Sequence, residues 1–262
     1  MRIIASLTTI PSRISRMRPV IEAILAQTTP IEHIEINVPT TCIRTGEDYV
    51  VPEWFADFQG KLKVFQTRDD GAITKIAPTL LRHFGEEDLW LWSVDDDAVY
   101  PPYQLAKLAD RAASLGKTDV IWSRHGGTLD AADNISFWQG ERDVDMFEGF
   151  GGIVYPPGTL NNAAEFAEYV ARTSANADCR LSDDIVLSYY FREVRQPALR
   201  IMMSNNPTSE CPFMPTVWQP YSSEPQSLCK QGFGGHIPRY RWVREFLKTN
   251  FKRQDINDIE CK

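Results

Sequence analysis

Three consecutive carboxylates, Asp95, Asp96 and Asp97, follow directly on a run of large apolar residues, Leu89-Trp90-Leu91-Trp92-Ser93-Val94. The apolar run asks for burial, whereas adjacent like charges repel one another and gain nothing from a dry neighbourhood. A divalent cation resolves the conflict. Hard ions such as Mg²⁺ or Mn²⁺ take oxygen ligands and often bridge protein carboxylates to substrate phosphates. In extended chain Asp95 and Asp97 point one way and Asp96 the other, so Asp95 and Asp97 are expected to act together. The bland alternative is a solvated turn in which Asp96 or Asp97 caps the next helix. The metal reading is preferred.

Other segments carry chemistry in less concentrated form. Ser182-Asp183-Asp184 reads as an N-cap followed by two acids in the first turn of a helix. The helix dipole favours them there on structural grounds alone, and would also keep a carboxylate ionised and ready to take a proton from a hydroxyl. In Asp69-Asp70-Gly71-Ala72-Ile73-Thr74-Lys75, Gly71 permits a tight turn and the following helix start offers backbone N–H groups to an anion. Lys75 would add a point charge towards that anion, and Asp70 would accept a hydrogen bond from a ligand N–H. The alternative leaves Lys75 in water. The loop Thr8-Thr9-Ile10-Pro11-Ser12-Arg13 offers hydroxyls to a base edge and a planar guanidinium to phosphate; otherwise it starts a helix, with Arg13 solvated. His236 ends a glycine stretch, Gly232 to Gly235 with Phe233 inside it, that suits a metal ligand on a closing lid, although a lone loop histidine is more often surface. FEGFGG, residues 147–152, would let backbone approach a sugar and Phe150 stack on it, or is a simple glycine turn. His33, His83 and His125 receive no role.

These residues need a scaffold, and the apolar pattern supplies one. Strands are expected at 3–7, 33–38, 62–66, 89–94 and 119–123, with helices at 17–26, 73–84 and 103–115 between them. That alternation implies right-handed crossovers and a Rossmann-like α/β fold, a mostly parallel central sheet flanked by helices. Ligands bind such sheets beyond the carboxyl ends of the strands, which is where Asp95–Asp97 fall. After residue 124 the regularity decays. Helices are expected at 162–172 and 182–192, and residues 207–235 read as loop laid over the sheet. A basic amphipathic helix follows at 239–252, with Trp242, Val243, Phe246 and Leu247 on its apolar side.

Bulk properties exclude several classes. The 262 residues are 43% hydrophobic and 24% charged, the balance of a globular protein with a real core. A net charge of −7 argues against nucleic acid as a partner. No stretch has the length of a membrane-spanning helix, and the N-terminus reads as a strand and turn, not a cleavable signal. Cys42, Cys179, Cys211, Cys229 and Cys261 are scattered without any C-x-x-C, which favours reduced thiols and a cytoplasmic setting. The basic C-terminal helix could meet an anionic acceptor or a membrane surface peripherally, but packing on the sheet is the preferred reading.

SLTTIPSRI, DDGAITKIAPTL, VDDDAVYPP, EGFGGIVYPPG and SDDIVLSYYF, in that order, resemble GT-A-type glycosyltransferases, in particular small bacterial and large-DNA-virus sugar transferases. The resemblance runs over residues 2–192. It implies a GT-A fold, a nucleoside-diphosphate sugar donor (UDP-linked), Mn²⁺ or Mg²⁺, and transfer to a hydroxyl of a glycan or other acceptor. By its D-x-D pattern Asp95 lies near the donor's ribose or sugar, Asp96 contributes there, and Asp97 holds the metal with Asp95 and a late histidine, His236. Thr8, Thr9, Arg13, Asp70 and Lys75 take the donor side. The acid pair falls on Asp183 and Asp184, with Asp184 the base, and implies inversion. The expected organisation is one domain over 1–262, with residues 1–124 binding the nucleotide sugar and 125–262 carrying acceptor and catalysis. Two competing readings remain at this point. A sugar-nucleotide-forming nucleotidyltransferase would carry a glycine-rich N-terminal loop, and SLTTIPSRI has no glycine. A non-catalytic glycan-binding module would leave the acids idle.

Overall fold

The computed structural model describes residues 1–114, 119–204 and 236–251, with the backbone alone for 236 and 237. In chain order the elements are β1 (Arg2–Leu7), α1 (Pro11–Ile14), α2 (Arg18–Leu25), β2 (Ile34–Val38), β3 (Leu62–Gln66), α3 (Ala77–Arg82), β4 (Leu89–Ser93) and α4 (Gln104–Ser114). There follow β5 (Val120–Leu129), β6 (Ile135–Phe137), β7 (Glu141–Asp143), β8 (Met146–Tyr155), α5 (Ala163–Ser174), α6 (Ala177–Arg180), α7 (Asp183–Tyr189), β9 (Arg200–Ser204) and α8 (His236–Asn250). Strands from both halves of the chain share one sheet, in the order β3-β2-β1-β4-β8-β5-β9-β7, with β6 on β5. The ladder β3-β2-β1-β4 is parallel throughout. β8 enters antiparallel between β4 and β5, and β9 runs parallel to β5. This is the α/β sheet flanked by helices that the alternation implied.

β4 is buried along its whole length because both faces are covered, which is why it reads as unbroken apolar residues. Leu89 and Leu91 join the core under α3, α5, α7 and α8, while Trp90 and Trp92 join the one under α2 and α4. The strand thus ends, with its three acids, between two packed layers.

Four local expectations change. The helix over 73–84 is split into a 3-10 turn, Gly71–Lys75, and α3 from Ala77. Pro78 has no N–H and its ring fits only the first turn of a helix, so a new helix must start beside it. FEGFGG is not a turn but the middle of β8; its glycines hide the strand pattern, yet Phe147, Ile153, Val154 and Tyr155 are buried on the sheet. In β2 the polar residues are inside as well, with Glu35 and Asn37 buried beneath α3. On α8 the inward face is Tyr240, Val243 and Leu247, whereas Trp242 is 67% exposed. Residues 207–235 and three of the cysteines lie outside the described residues. Cys42 and Cys179 are buried free thiols, and no described helix is long and apolar enough to cross a membrane.

Candidate active site

A cavity of about 490 Å³ opens beyond the carboxyl ends of β1, β2 and β4, and is closed by β8 and the starts of α7 and α8. Thr8, Thr9, Arg13, Lys75, Asp95, Asp96, Asp97, Asp183 and Asp184 all border it. Residues up to 176 positions apart in sequence, the distance from Thr8 to Asp184, therefore face one space.

The acidic triplet is divided between two cations. Arg13, buried on α1, places Nη1 2.9 Å from Asp96 Oδ1 and 3.2 Å from Asp97 Oδ2. Thr9 Oγ1 donates to Asp96 Oδ2 at 2.7 Å. Asp95 instead meets Lys75, with Nζ 2.6 Å from Oδ1. Asp95 and Asp97 are therefore held by different cations, with Asp97 sharing Arg13 with Asp96, because β4 ends at Ser93 and residues 96–97 lie in a turn where strand alternation no longer holds; the Asp95 charge still bears on Asp97. Arg13 is engaged with these acids and does not project as a bare fork for phosphate. The turn is tied to β8 through Tyr100, which accepts from Asp95 N at 2.9 Å and donates to Phe150 O at 3.2 Å.

Lys75 is the hub. It does not face water: its Nζ also lies 2.8 Å from Asp183 Oδ2, so one ammonium joins the end of β4 to the start of α7. Burial opposes its charge, but Asp183, Asp95 and Asp184 outweigh that and raise its pKa well above the ordinary lysine value. The 3-10 turn holding it is fixed from below, where Ser6 Oγ donates to Lys75 O at 2.6 Å. Gly71 begins that turn at φ +79°, with a Cβ there only 2.2 Å from Arg180 O, so no other residue fits. Of the two acids before it, Asp69 borders the cavity and accepts from Ile43 N (2.7 Å) and Gly71 N (2.8 Å). Asp70, the residue expected to meet the base, is buried off the cavity and accepts from Arg68 Nε at 2.7 Å. Thr8 borders the cavity and donates to Asn37 O at 2.7 Å.

Close to Lys75, Asp184 Oδ1 accepts from Gly149 N at 2.8 Å and Oδ2 from Tyr240 Oη at 3.1 Å. Ser182 stands at the N-cap position without capping; its Oγ accepts from Arg239 Nε at 2.9 Å. The helix dipole does not keep Asp184 ionised, as the sequence suggested. Burial and the Asp183 charge raise its pKa well above the usual aspartate range, against the pull of Lys75. Gly149 leaves room for this cluster: a Cβ would stand 2.7 Å from Lys75 Nζ and 3.1 Å from Asp184 Oδ1.

Glu148, Arg239 and Tyr240 border the cavity without a role of their own in the sequence reading of the site, and Asp69 borders it where Asp70 was expected to. Glu148 was legible as a lone charge inside FEGFGG. Arg239 and Tyr240 were not, since nothing in α8 announces which turn meets α7. The His236 side chain lies outside the described residues, so its place as a metal ligand does too.

No protein-family profile matches the chain, and no curated protein matches it. Among solved structures it is similar to 4-diphosphocytidyl-2C-methyl-D-erythritol synthase, with a TM-score of 0.40 and 11% identity over 65% of this chain and 85% of that one. A likeness of that size decides nothing about chemistry, which rests on the cavity itself.

The residues fit a hard divalent ion of one particular kind. Burial, with Asp95 and Asp96 alongside, pushes Asp97 up to about 7 against Arg13 and Lys75, so the cluster carries more acid than its two cations offset. Its donors are all oxygen. Among the described residues, no three His, Cys, Asp or Glu side chains converge as a ready cage. The fit is therefore to an ion that shares one or two carboxylates with substrate phosphates and water, the habit of Mg²⁺ and Mn²⁺.

Proposed function

We propose that this chain is a metal-dependent glycosyltransferase, moving a sugar with inversion from a UDP-linked or similar nucleoside-diphosphate donor to an acceptor hydroxyl. One observation carries the reading: Lys75 joins Asp95 at the end of the central strand to Asp183 at the start of α7, so two acid groups work on one cavity. The nucleotide end is assigned to the β1 and β2 side, where Thr8 and Asp69 offer polar atoms. Thr9 and Arg13 act through Asp96, which they hold in place beside the ribose. Asp95 and Asp97 would hold Mn²⁺ or Mg²⁺, which when bound absorbs negative charge on the leaving diphosphate. Lys75 supports the same charge from the protein side. Asp184 takes the proton from the attacking hydroxyl as the anomeric C–O bond to the diphosphate breaks and the new glycosidic bond forms. Its raised pKa makes the ionised form a stronger base than an ordinary aspartate, and that form is the one favoured by Lys75 and by the hydrogen bonds from Gly149 N and Tyr240 Oη.

The test is a thermal-shift screen of nucleotide sugars with and without Mn²⁺, followed by an assay of what is released. A ligand that binds only the folded chain must raise its melting temperature. The expected result is a shift with one nucleotide sugar that needs the metal, and release of nucleoside diphosphate on adding acceptor. Release of pyrophosphate from a nucleoside triphosphate and a sugar phosphate would make it a nucleotidyltransferase instead. No shift with any donor in Mn²⁺ would sink the reading.

A further inference from the structure

Among the carboxyls on the cavity wall, Glu148 stands apart. Asp95 and Asp183 pair with Lys75, Asp96 and Asp97 with Arg13, and Asp184 accepts two hydrogen bonds. Glu148 borders the same cavity, is half-buried, and has no hydrogen-bond or ion-pair partner among the described residues. A carboxyl partly withdrawn from water without a partner costs some stability. A fold that keeps one at the wall of a ligand-sized cavity invites a ligand to supply the missing hydrogen bond.

Another residue of β8 on the same cavity says which kind of ligand. The register of β8 on β5 shifts between Ile153 and Glu148, and Phe150, inside that shift, borders the cavity as Glu148 does. The Phe150 ring is held by the His125 ring, stacked at 4.3 Å between centroids and 19° between planes. His125 is a neutral backing, since burial and Arg124 lower its pKa to about 4. One strand thus presents a fixed aromatic face and an unpaired carboxyl side by side. The C–H face of a pyranose is apolar and its rim is a ring of hydroxyls, so a cyclic sugar satisfies both groups at once. A linear polyol has the hydroxyls without the flat apolar face.

We propose that Glu148 and Phe150 form the acceptor subsite, which takes a pyranose ring stacked on Phe150 with one of its hydroxyls bonded to Glu148. The assignment deepens the transferase reading and rests on it for the word acceptor. It lies on the same wall as Asp184, whose Oδ1 is bonded to the intervening Gly149, so a ring seated there presents a second hydroxyl to the base. The carboxyl helps in either protonation state. Burial pushes Glu148 up to about 7, and near neutrality it can accept a hydrogen bond from a hydroxyl or donate one to it.

The experiment is ligand-observed NMR titration of the full chain, in UDP and Mn²⁺, with methyl pyranosides of glucose, galactose and mannose. Sorbitol serves as the linear control. We expect at least one pyranoside to bind and sorbitol not to. Glu148→Gln and Phe150→Leu should each weaken that pyranoside about tenfold, the worth of one hydrogen bond to a charged group or of one good ring contact. UDP affinity should stay unchanged in both variants, which also reports that they are folded. Where transfer can be measured, the acceptor KM should rise by the same factor with kcat at saturation preserved. Sorbitol binding as well as the pyranosides, no pyranoside binding, or unchanged affinity in both variants would overturn the subsite. A fall in kcat with acceptor KM intact would also overturn it, by making Glu148 part of the proton transfer. Failure of the wild-type chain to bind any nucleotide while still binding a pyranoside would instead break the transferase reading and leave this surface as a sugar site.

Discussion

Glu35 and Glu148 are the same residue in two buried settings, and their carboxyls move in opposite directions. Burial alone would raise the pKa of Glu35, but His83, Arg82 and His33 outweigh it and bring the group down to about 2. Its Oε1 lies 2.9 Å from His83 Nε2 and 3.1 Å from His33 Nε2, while Oε2 meets Arg82 and accepts from Thr79 Oγ1 at 3.2 Å. Glu148 has burial without such partners and is pushed up to about 7. The difference teaches where this molecule is finished. Beneath α3 every strong polar group is answered from within the chain, and the result is scaffold: Ser6, Asn37 and Thr79 extend the network up to the backbone of Lys75. At the cavity, acids outnumber the cations that answer them, and the deficit is what a ligand and its cation can fill.

Breaking the cavity side should show first in rate. Asp184→Asn keeps size and a hydrogen-bonding oxygen but cannot take the acceptor proton near neutral pH, so transfer should fall about 10²–10⁴-fold. Donor affinity should hold, because no contact assigned to the donor is removed. Asp183→Asn should instead disturb Lys75, its ion-pair partner, and so weaken donor binding. If Asp184→Asn transfers at a near-normal rate at saturating donor and acceptor, the base lies elsewhere.

Breaking the scaffold side should show in stability. Glu35→Gln leaves Arg82 and two histidines around a buried site that has lost its charge, and removing one member of a buried ion pair costs about 3 kcal/mol or more. Asp97→Ala should cost nothing comparable in the absence of ligand, since it relieves crowding with Asp95 and Asp96, yet it should abolish metal-dependent turnover. Urea denaturation of the two variants checks the contrast. Equal destabilisation would mean that the two clusters are the same kind of structure.

The parallel half of this arrangement was readable from sequence because its apolar runs and helices alternate cleanly. β1, β2, β3, β4, α2 and α4 fall within a few residues of their expected places. The acids at the end of β4 were readable for the same reason: a charged triplet after a doubly buried strand has few innocent explanations. What escaped were residues whose partners are distant in sequence. Glu35 alternates with isoleucines and so reads as a solvent-facing strand position; only α3, some 40 residues on, makes it internal. β8 escaped because a glycine-rich strand has no side-chain pattern to follow. The choice between Asp69 and Asp70 turns on the geometry of one 3-10 turn, which composition does not specify.

A subtler way to sharpen the comparison is to crowd the hub without removing a charge. Gly149→Ala would put a methyl carbon 2.7 Å from Lys75 Nζ and 3.1 Å from Asp184 Oδ1. A lysine tip usually yields cheaply, but this one is held by Asp95 and Asp183 at once, so it must shift out of both ion pairs or push Asp184 aside. Misplacing catalytic groups by a fraction of an ångström to an ångström costs about 10–100-fold in rate. Melting temperature should change little, since the β8 residues that pair with β4 and β5, 146–148 and 153–155, are untouched. Full activity in this variant, with its fold intact, would show that the Lys75 and Asp184 positions are not critical to one another.

The smallest expected effect is the pH dependence of stability, and it tests the opening comparison directly. Each glutamate has an ordinary value of 4.5. Glu35 is lowered on folding, so its contribution is present above 4.5 and is lost as pH falls through about 2. Glu148 is raised, so the stability it gives is complete below 4.5 and is lost as pH rises through about 7. Glu148→Gln removes a group whose ionisation the fold opposes. The variant should therefore gain melting temperature on the wild type at about pH 8 and not at about pH 4. Glu35→Gln should do the reverse, with its deficit fully developed at about pH 7 and shrinking as pH falls towards 2. The pKa values of His83 and His33 are moved up and down respectively from the ordinary histidine value. Comparing Glu148→Gln with wild type at each pH cancels their part, because neither histidine touches Glu148. A constant difference between those two proteins from about pH 4 to about pH 8 would mean that Glu148 is ionised as readily as any surface glutamate, and that the cavity wall is wetter than its geometry implies.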